Sequence, residues 1–180
     1  MQPEIQIKGK KFKLFIPAVE IQSRVEEIAS ELTEKFHDKH PVFIIILRGA
    51  FMFAGDILKY FNDPCEIEFT KLTSYDGMES SGKIHLLLPL KADVIKNRDI
   101  IIIEDIVDSG LTMDFFKNYI HSFHPKSVTL VSLLSKPENL EKEVHIDYVG
   151  FIIPNLFVVG YGLDYDGEGR NLGAIYQVED

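Results

Sequence analysis

Ile100-Ile-Ile-Ile-Glu-Asp-Ile-Val-Asp-Ser-Gly-Leu-Thr112 decides how the chain is read. The isoleucines at 100–103 predict a strand buried on both faces, the habit of parallel sheets. That strand runs directly into two adjacent acids, Glu104 and Asp105; a third, Asp108, follows, and Ser-Gly-x-Thr opens a predicted helix from Leu111 to about Phe123. In open α/β sheets ligands collect beyond the carboxyl ends of the strands, so the acidic stretch is expected to form a loop there. Ser109 and Thr112 bring hydroxyls, Gly110 lets backbone approach closely, and a helix start offers N–H groups with a favourable dipole, which together suit a phosphate. Glu104 and Asp105 suit sugar hydroxyls or a hard cation, because carboxylates accept hydrogen bonds and ligate such ions. The same residues also read as an ordinary acidic cap on a helix, where Asp and Ser are favoured. On generic grounds both readings stand.

Working outward, Val42-Phe-Ile-Ile-Ile-Leu47 is a second continuous apolar run and ends in Arg48-Gly49. A helix is expected from about Ala50 to Tyr60, a strand over Glu66–Thr73, and a polar, Gly-containing loop over 74–82. Further strands are expected at Val128–Leu134, Tyr148–Ile153 and Phe157–Val159. At the front, Ile5 and Ile7, then Phe12, Leu14 and Ile16, alternate about Gly9 as a hairpin. Ile21, Val25, Ile28, Leu32 and Phe36 follow at helical spacing, with the charged residues of that segment on its solvated side. Strands alternating with helices predict an α/β fold on a parallel sheet, with extra β structure from the final third.

Composition narrows the function. At 180 residues the chain suits one domain, spanning 1–180, with a sizeable core. No apolar run reaches the roughly 18 residues of a membrane span, and the start lacks the basic and apolar pattern of a secretory signal. Cys65 is the sole cysteine, which excludes an internal disulfide and makes a cytoplasmic setting the default expectation. A net charge of −9 without a dense Lys/Arg block argues against a nucleic-acid partner. Gly160-Tyr-Gly162 lacks the strand-to-helix context of a dinucleotide fingerprint. His121 and His124 lack thiolate or HExxH partners and read as solvated.

The thirteen-residue stretch closely resembles the PRPP-binding motif (PRPP, phosphoribosyl pyrophosphate) of type I phosphoribosyltransferases, in the Glu-Asp-Ile-Val-Asp-Ser/Thr-Gly form of the hypoxanthine-guanine branch. Leu47-Arg48-Gly49 is similar to the family's pyrophosphate loop, where an often cis peptide exposes backbone amides. Leu72-Thr-Ser-Tyr75 resembles the Ser-Tyr flap, and Ser135-Lys136 the purine-contacting lysine. Val149–Pro154, Phe157–Tyr165 and Arg170-Asn171-Leu172 match the hood segments in order. The likeness runs from about Ile44 to Leu172.

The resemblance implies the type I phosphoribosyltransferase fold, a mostly parallel sheet flanked by helices with a small hood, about 1–17 and 137–180. It implies PRPP contacts from Glu104, Asp105, Ile106, Val107, Ser109, Gly110, Leu111, Thr112, Arg48, Gly49, Ser74, Tyr75 and Arg170. Asp108 would be the general base at purine N7. Lys136 would donate to a 6-oxygen; an ammonium is donor-only and so prefers 6-oxopurines to adenine. Phe157 would stack on the purine, the Val158 backbone would meet its edge, and Asp164, with Glu104 and Asp105, would hold Mg²⁺. A homodimer or homotetramer is implied as well. Leu111, Thr73 and the stretch Asp166-Gly-Glu-Gly169 depart from the family pattern. The last lacks a bulky aromatic, implying a more open hood and leaving the choice between guanine and hypoxanthine open. The rival readings are a nucleotide-sensing module that grips nucleic acid and a transferase for a different base.

Overall fold

The computed structural model describes residues 3–74 and 84–179. An antiparallel hairpin of Glu4–Ile7 (β1) and Lys10–Ile16 (β2) leads into helix Ala18–Phe36 (α1). Then come Val42–Leu47 (β3), Phe51–Tyr60 (α2), Glu66–Ser74 (β4) and Ile84–Leu88 (β5). A single helical turn, Ala92–Ile95 (α3), precedes Asp99–Val107 (β6), Leu111–His121 (α4) and Ser127–Ser135 (β7). After a 3-10 turn at Pro137–Asn139 the chain adds Tyr148–Ile152 (β8), Val158–Val159 (β9) and Ile175–Val178 (β10).

Six strands form one sheet in the order β5-β4-β3-β6-β7-β8, parallel throughout except for the β4–β5 pair. Its central strands are coated on both faces, which is why they read as unbroken apolar runs rather than alternating ones. Phe43, Ile45, Ile101 and Ile103 pack with α1 and α2 residues such as Ile28, Leu32, Phe53 and Ile57. Val42, Ile44, Ile100 and Ile102 pack on the other side with Ile95, Met113, Phe116 and Ile120. A second, antiparallel sheet, ordered β1-β2-β10-β9, closes over its own small core of Ile7, Phe12, Val159, Ala174 and Tyr176.

Three features differ from the sequence reading. First, Glu104 and Asp105 lie within β6, which continues to Val107, and not in a loop. Strict alternation would turn adjacent residues to opposite faces. Here Asp105 drops out of the ladder with β7, and the alternation slips: Ile103 and Ile106 share the α1/α2 side, Ile102 and Val107 the other. Second, Tyr148–Ile152 falls inside the stretch assigned to the hood, yet β8 is the sixth strand of the main sheet, parallel to β7. Third, β5, α3 and β10 were not anticipated. β10 matters most, because it joins β2 to β9 and so builds the second sheet. Of the polar segment 74–82, all but Ser74 lies outside the described residues.

Candidate active site

The carboxyl end of β6 and the start of α4 enclose a small cavity of about 100 Å³, lined by Glu104, Ile106, Val107, Asp108, Ser109, Gly110, Thr112 and Met113. The Ser109 Oγ accepts the Leu111 N–H at 3.4 Å, tying the loop to the first turn of the helix. Gly110 sits at φ +80, and a side chain there would strike the Lys142 carbonyl, so glycine is required twice over. The first N–H groups of α4 have no intrahelical partners and face this end of the sheet.

A larger cavity of about 570 Å³ adjoins the first; Glu104 and Thr112 line both. Its walls also include Leu47, Arg48, Gly49, Thr73, Asp105, Asp164 and Arg170. The slip in β6 explains how two neighbouring acids reach one space. The Leu47–Arg48 peptide is cis. Gly49 has no room for a Cβ, because the Asp105 carboxylate occupies that position, and Gly162 in turn rests on the Gly49 carbonyl. Backbone from the β3 loop, the acids of β6 and the Gly160–Asp164 segment are thereby packed against one another without intervening side chains.

The polar groups of this cavity differ in how well they are satisfied. Asp105 Oδ1 accepts the Ile106 N–H at 2.9 Å. Asp164 accepts from the Gly167 N–H at 2.7 Å and pairs with Arg170 at 2.5 Å, while Arg170 also donates to the Gly162 carbonyl at 2.6 Å. Glu104 is buried, and its Oε2 has no hydrogen-bond partner. Burial pushes its carboxyl well above the ordinary carboxylate range, and the adjacent charge of Asp105 pushes the same way. A buried orphan acceptor beside two further carboxylates suits an incoming hydroxyl or cation. Among the described residues no three acidic, His or Cys side chains converge as a ready-made metal cage.

Asp108 stands at the outer side of the small cavity. Lys136, buried at the end of β7, donates to its Oδ2 at 2.8 Å, and Asn139 donates to its Oδ1. Lys136 is nearly inaccessible, whereas 42% of the Asp108 side-chain surface is open, so the pair shows its carboxylate to the outside. Phe157 leaves 47% of its surface exposed and rests against Phe12 and Tyr165 at ring distances of 6.4 and 5.7 Å. The Val178 N–H donates to the Phe157 carbonyl, which makes that the hydrogen-bonded pair. Val158, the next residue, therefore turns its own backbone groups away from β10, toward the free edge of the sheet.

The structure thus brings Glu104 to Thr112 together with Arg48, Gly49, Asp164 and Arg170 around two joined cavities, with Lys136 reaching them through Asp108. Leu111 is a partly exposed residue of the first α4 turn. Ser74 closes β4, and Tyr75 lies outside the described residues. Sequence reasoning missed Asn139, which no motif marks. It also missed the buried anchor of Tyr161, whose hydroxyl donates to Asp56 at 2.6 Å. The helical spacing of Gln22 and Asp56 on their own helices gave no sign that they meet.

Comparison with known proteins gives the class first: residues 18–166 match the family described as "Phosphoribosyl transferase domain". The chain is 37% identical over 177 residues to the hypoxanthine-guanine phosphoribosyltransferase of Aquifex aeolicus, covering 97% of this chain and 99% of that one. It is 40% identical over 164 residues to the enzyme of that name from Bacillus subtilis, covering 91% of each. A crystal structure of a hypoxanthine-guanine phosphoribosyltransferase from Bacillus anthracis, with HEPES in its active site, superposes with a TM-score of 0.87 at 35% identity, over 93% of this chain and 98% of that one. The chain belongs to the hypoxanthine-guanine phosphoribosyltransferase family.

Proposed function

We propose that this chain transfers the 5-phosphoribosyl group of PRPP to hypoxanthine, guanine or both, giving IMP or GMP and pyrophosphate, as a step of purine salvage. The observation that carries the reading is the pair of adjoining cavities at the carboxyl end of β6, with the Asp108–Lys136 pair beside them. The smaller cavity, with the α4 N-terminus and the hydroxyls of Ser109 and Thr112, matches a 5-phosphate in size and chemistry. The larger takes the ribose hydroxyls on Glu104 and Asp105. It takes the pyrophosphate beside Arg48, Gly49 and Arg170, with Ser74 and Tyr75 assigned to the same end by the family pattern.

In the reaction the purine N9 bonds to the anomeric carbon as the bond from that carbon to pyrophosphate breaks, and the proton on N7 passes to Asp108. A carboxylate serves because it accepts that proton and faces the positive charge that develops on the sugar. The 6-oxygen draws Lys136 out of its pair with Asp108, which frees the Asp108 oxygen at the moment the base arrives. An adenine amino group offers no acceptor there and leaves the pair closed. Phe157 supplies a half-open ring for stacking, and the outward backbone of Val158 supplies polar partners for the purine edge.

Mg²⁺ fits this site as a substrate-borne ion: it commonly takes one or two protein carboxylates and completes its shell with phosphate oxygens and water. Glu104, with its unpartnered Oε2, Asp105 and Asp164 are the carboxylates that would hold it, one or two at a time with phosphate oxygens and not as a three-carboxylate cage, and when bound it would neutralise charge on the departing pyrophosphate. A single 1–180 domain, a cytoplasmic setting and a homodimer or homotetramer complete the reading. They rest on the lone cysteine and on the family pattern.

Pyrophosphate release measured with PRPP and each of hypoxanthine, guanine, xanthine and adenine tests this directly. Turnover is expected with a 6-oxopurine and not with adenine, and Asp108→Asn should lower it by about 10²–10⁴-fold, the range for general base catalysis, while PRPP still binds. Turnover confined to other bases would sink the substrate assignment, and an unimpaired Asp108→Asn would remove the base.

A further inference from the structure

We propose that Asn139 is a positioning residue for the transfer, acting through Asp108 by fixing which carboxylate oxygen faces the incoming purine. The inference rests on the reading of Asp108 as general base and adds to it a residue that no motif marks. Asp108 has two side-chain donors, Lys136 on Oδ2 and Asn139 on Oδ1. A base that recruits Lys136 to its 6-oxygen strips the carboxylate of the first donor. Asn139 is then the side chain that still holds it, and it holds the oxygen on the side away from the vacated one. Oδ2 is left as the proton acceptor, with its direction set.

The amide is pinned on both sides. A carboxylate only accepts, so the Asn139 NH₂ must be the end that faces Asp108. The Asn155 amide donates to Asn139 Oδ1 at 3.3 Å, which supports the same orientation from behind. The backbone under Asn139 is equally constrained. Its N–H donates to the Lys136 carbonyl at 3.0 Å, and the Lys136 N–H donates to the Val107 carbonyl at 3.0 Å. Two residues further on, the Glu141 and Lys142 N–H groups share the Ser109 carbonyl at 2.9 and 3.1 Å. The missing side chain of Gly110 lets the Lys142 carbonyl lie directly on the loop. Residues 136–142 therefore form a strap laced across the acidic loop at both ends, with Asn139 aimed inward at its middle. A neutral amide also suits the task chemically: it orients the carboxylate without neutralising it, as a second cation would.

The test is the single-turnover rate of nucleotide formation from PRPP and hypoxanthine in Asn139→Ala, Asn139→Asp and Asn155→Ala, with Asp108→Asn alongside. Asn139→Ala should slow the transfer step about tenfold, the order expected when a reacting group loses its orientation. Asn139→Asp, the same shape with an acceptor in place of the donor, should slow it further, and Asn155→Ala should cost about threefold or less on the same scale. PRPP affinity and thermal midpoint should stay within about twofold and 2 °C respectively, since the Asn139 side chain bonds to Asp108 and Asn155 and not to the hydroxyls of Ser109 and Thr112 that are assigned to the phosphate. An unchanged rate in both Asn139 variants overturns the proposal. So does a loss of rate matched by an equal loss of PRPP affinity, which would make the strap a structural brace. Should Asn139→Asp fail to fold, Asn139→Ala decides alone. A fully active Asp108→Asn would instead strike the underlying assignment of the base, so the two failures are distinguishable.

Discussion

A methyl group on Gly49 would land on the Asp105 carboxylate, while one on Gly55 would meet nothing within 4 Å. The two glycines therefore predict opposite outcomes. A carboxylate is the free end of a side chain and can swing aside, so Gly49→Ala is expected to spare the fold and damage the site. KM for PRPP should rise by about tenfold or more, the cost of roughly 1.4 kcal/mol in placing a ligand-binding carboxylate. Gly55→Ala, on an exposed position of α2, should leave kinetics alone and add about 0.5–1 kcal/mol of stability by calorimetry. Equal effects from the two would show that close packing at Gly49 has no bearing on substrate. At this scale the sequence was readable where a motif carries the residues: Asp108, Ser109 and Thr112 line a cavity at the carboxyl end of β6, as their order implies, while Glu104 and Asp105 reach the cavities from within the strand rather than from a loop. It was unreadable for Asn139, whose role comes from a strap folded across the loop, and for the contact of Gly49 with Asp105, which joins the ends of two different strands.

Helices α1 and α2 are joined by a carboxylate that reaches beyond both. Asp56 accepts from Gln22 of α1 at 2.9 Å, from Lys59 of α2 at 2.7 Å, and from the buried Tyr161 hydroxyl at 2.6 Å. Burial alone would raise the Asp56 carboxyl, but the Lys59, Tyr161 and Gln22 donors outweigh it and hold the group below its ordinary range. Burial and the Asp56 charge push the Tyr161 hydroxyl the other way, upward, so it stays a donor at neutral pH. A folded-state value below the unfolded one means that Asp56 stabilises the fold above about pH 4, the unfolded carboxylate value. That contribution is lost as acid carries the solution down through the lowered value. Tyr161→Phe should cost about 1–3 kcal/mol at neutral pH, as for a lost hydrogen bond to a charged group. Asp56→Asn should lower neutral stability and flatten its decline below pH 4 in denaturant titrations. A wild-type profile level down to pH 2 would contradict the sign. Element boundaries were legible where apolar spacing is regular, as in α1 and β3. They were not legible for β5, whose Leu87 and Leu88 are both exposed and so give no alternation, or for β10, whose partner β2 lies far away along the chain. Polar letters at 104 and 105 suggested that β6 had ended, because a cavity rather than solvent takes up their polarity.

Across the whole molecule, the two sheets carry different parts of the proposed site, and Phe12 ties the second sheet to Phe157, the ring proposed to stack on the purine. It is fully buried in the small core, and its ring touches both Phe157 and Tyr165. Phe12→Ala should cost about 3–5 kcal/mol of stability. In the surviving folded protein it should raise KM for the purine more than KM for PRPP, since the small core that holds Phe12 contains no residue of β6 or α4. A uniform rise in both constants would mean that the two sheets respond as one body. The α/β class and the parallel order followed from runs of isoleucine and valine. Of the second sheet, the hairpin of β1 and β2 was legible in its alternation and a hood joining the two ends of the sequence was implied by the resemblance, but β10, which joins β2 to β9 across that distance, was not. In an acidic chain of net charge −9, the proposed binding of a polyanion rests on local groups, the α4 N-terminus with Arg48 and Arg170, so the overall sign argues against a nucleic-acid partner but not against a small anionic substrate. Because β6 skips a rung at Asp105, phase counts there as much as composition. Lengthening the strand by one residue between Ile103 and Val107 would keep every carboxylate in the inventory and still rotate one of the pair into the helix-packed side. Exchanges with related proteins in that stretch can alter letters but not the count.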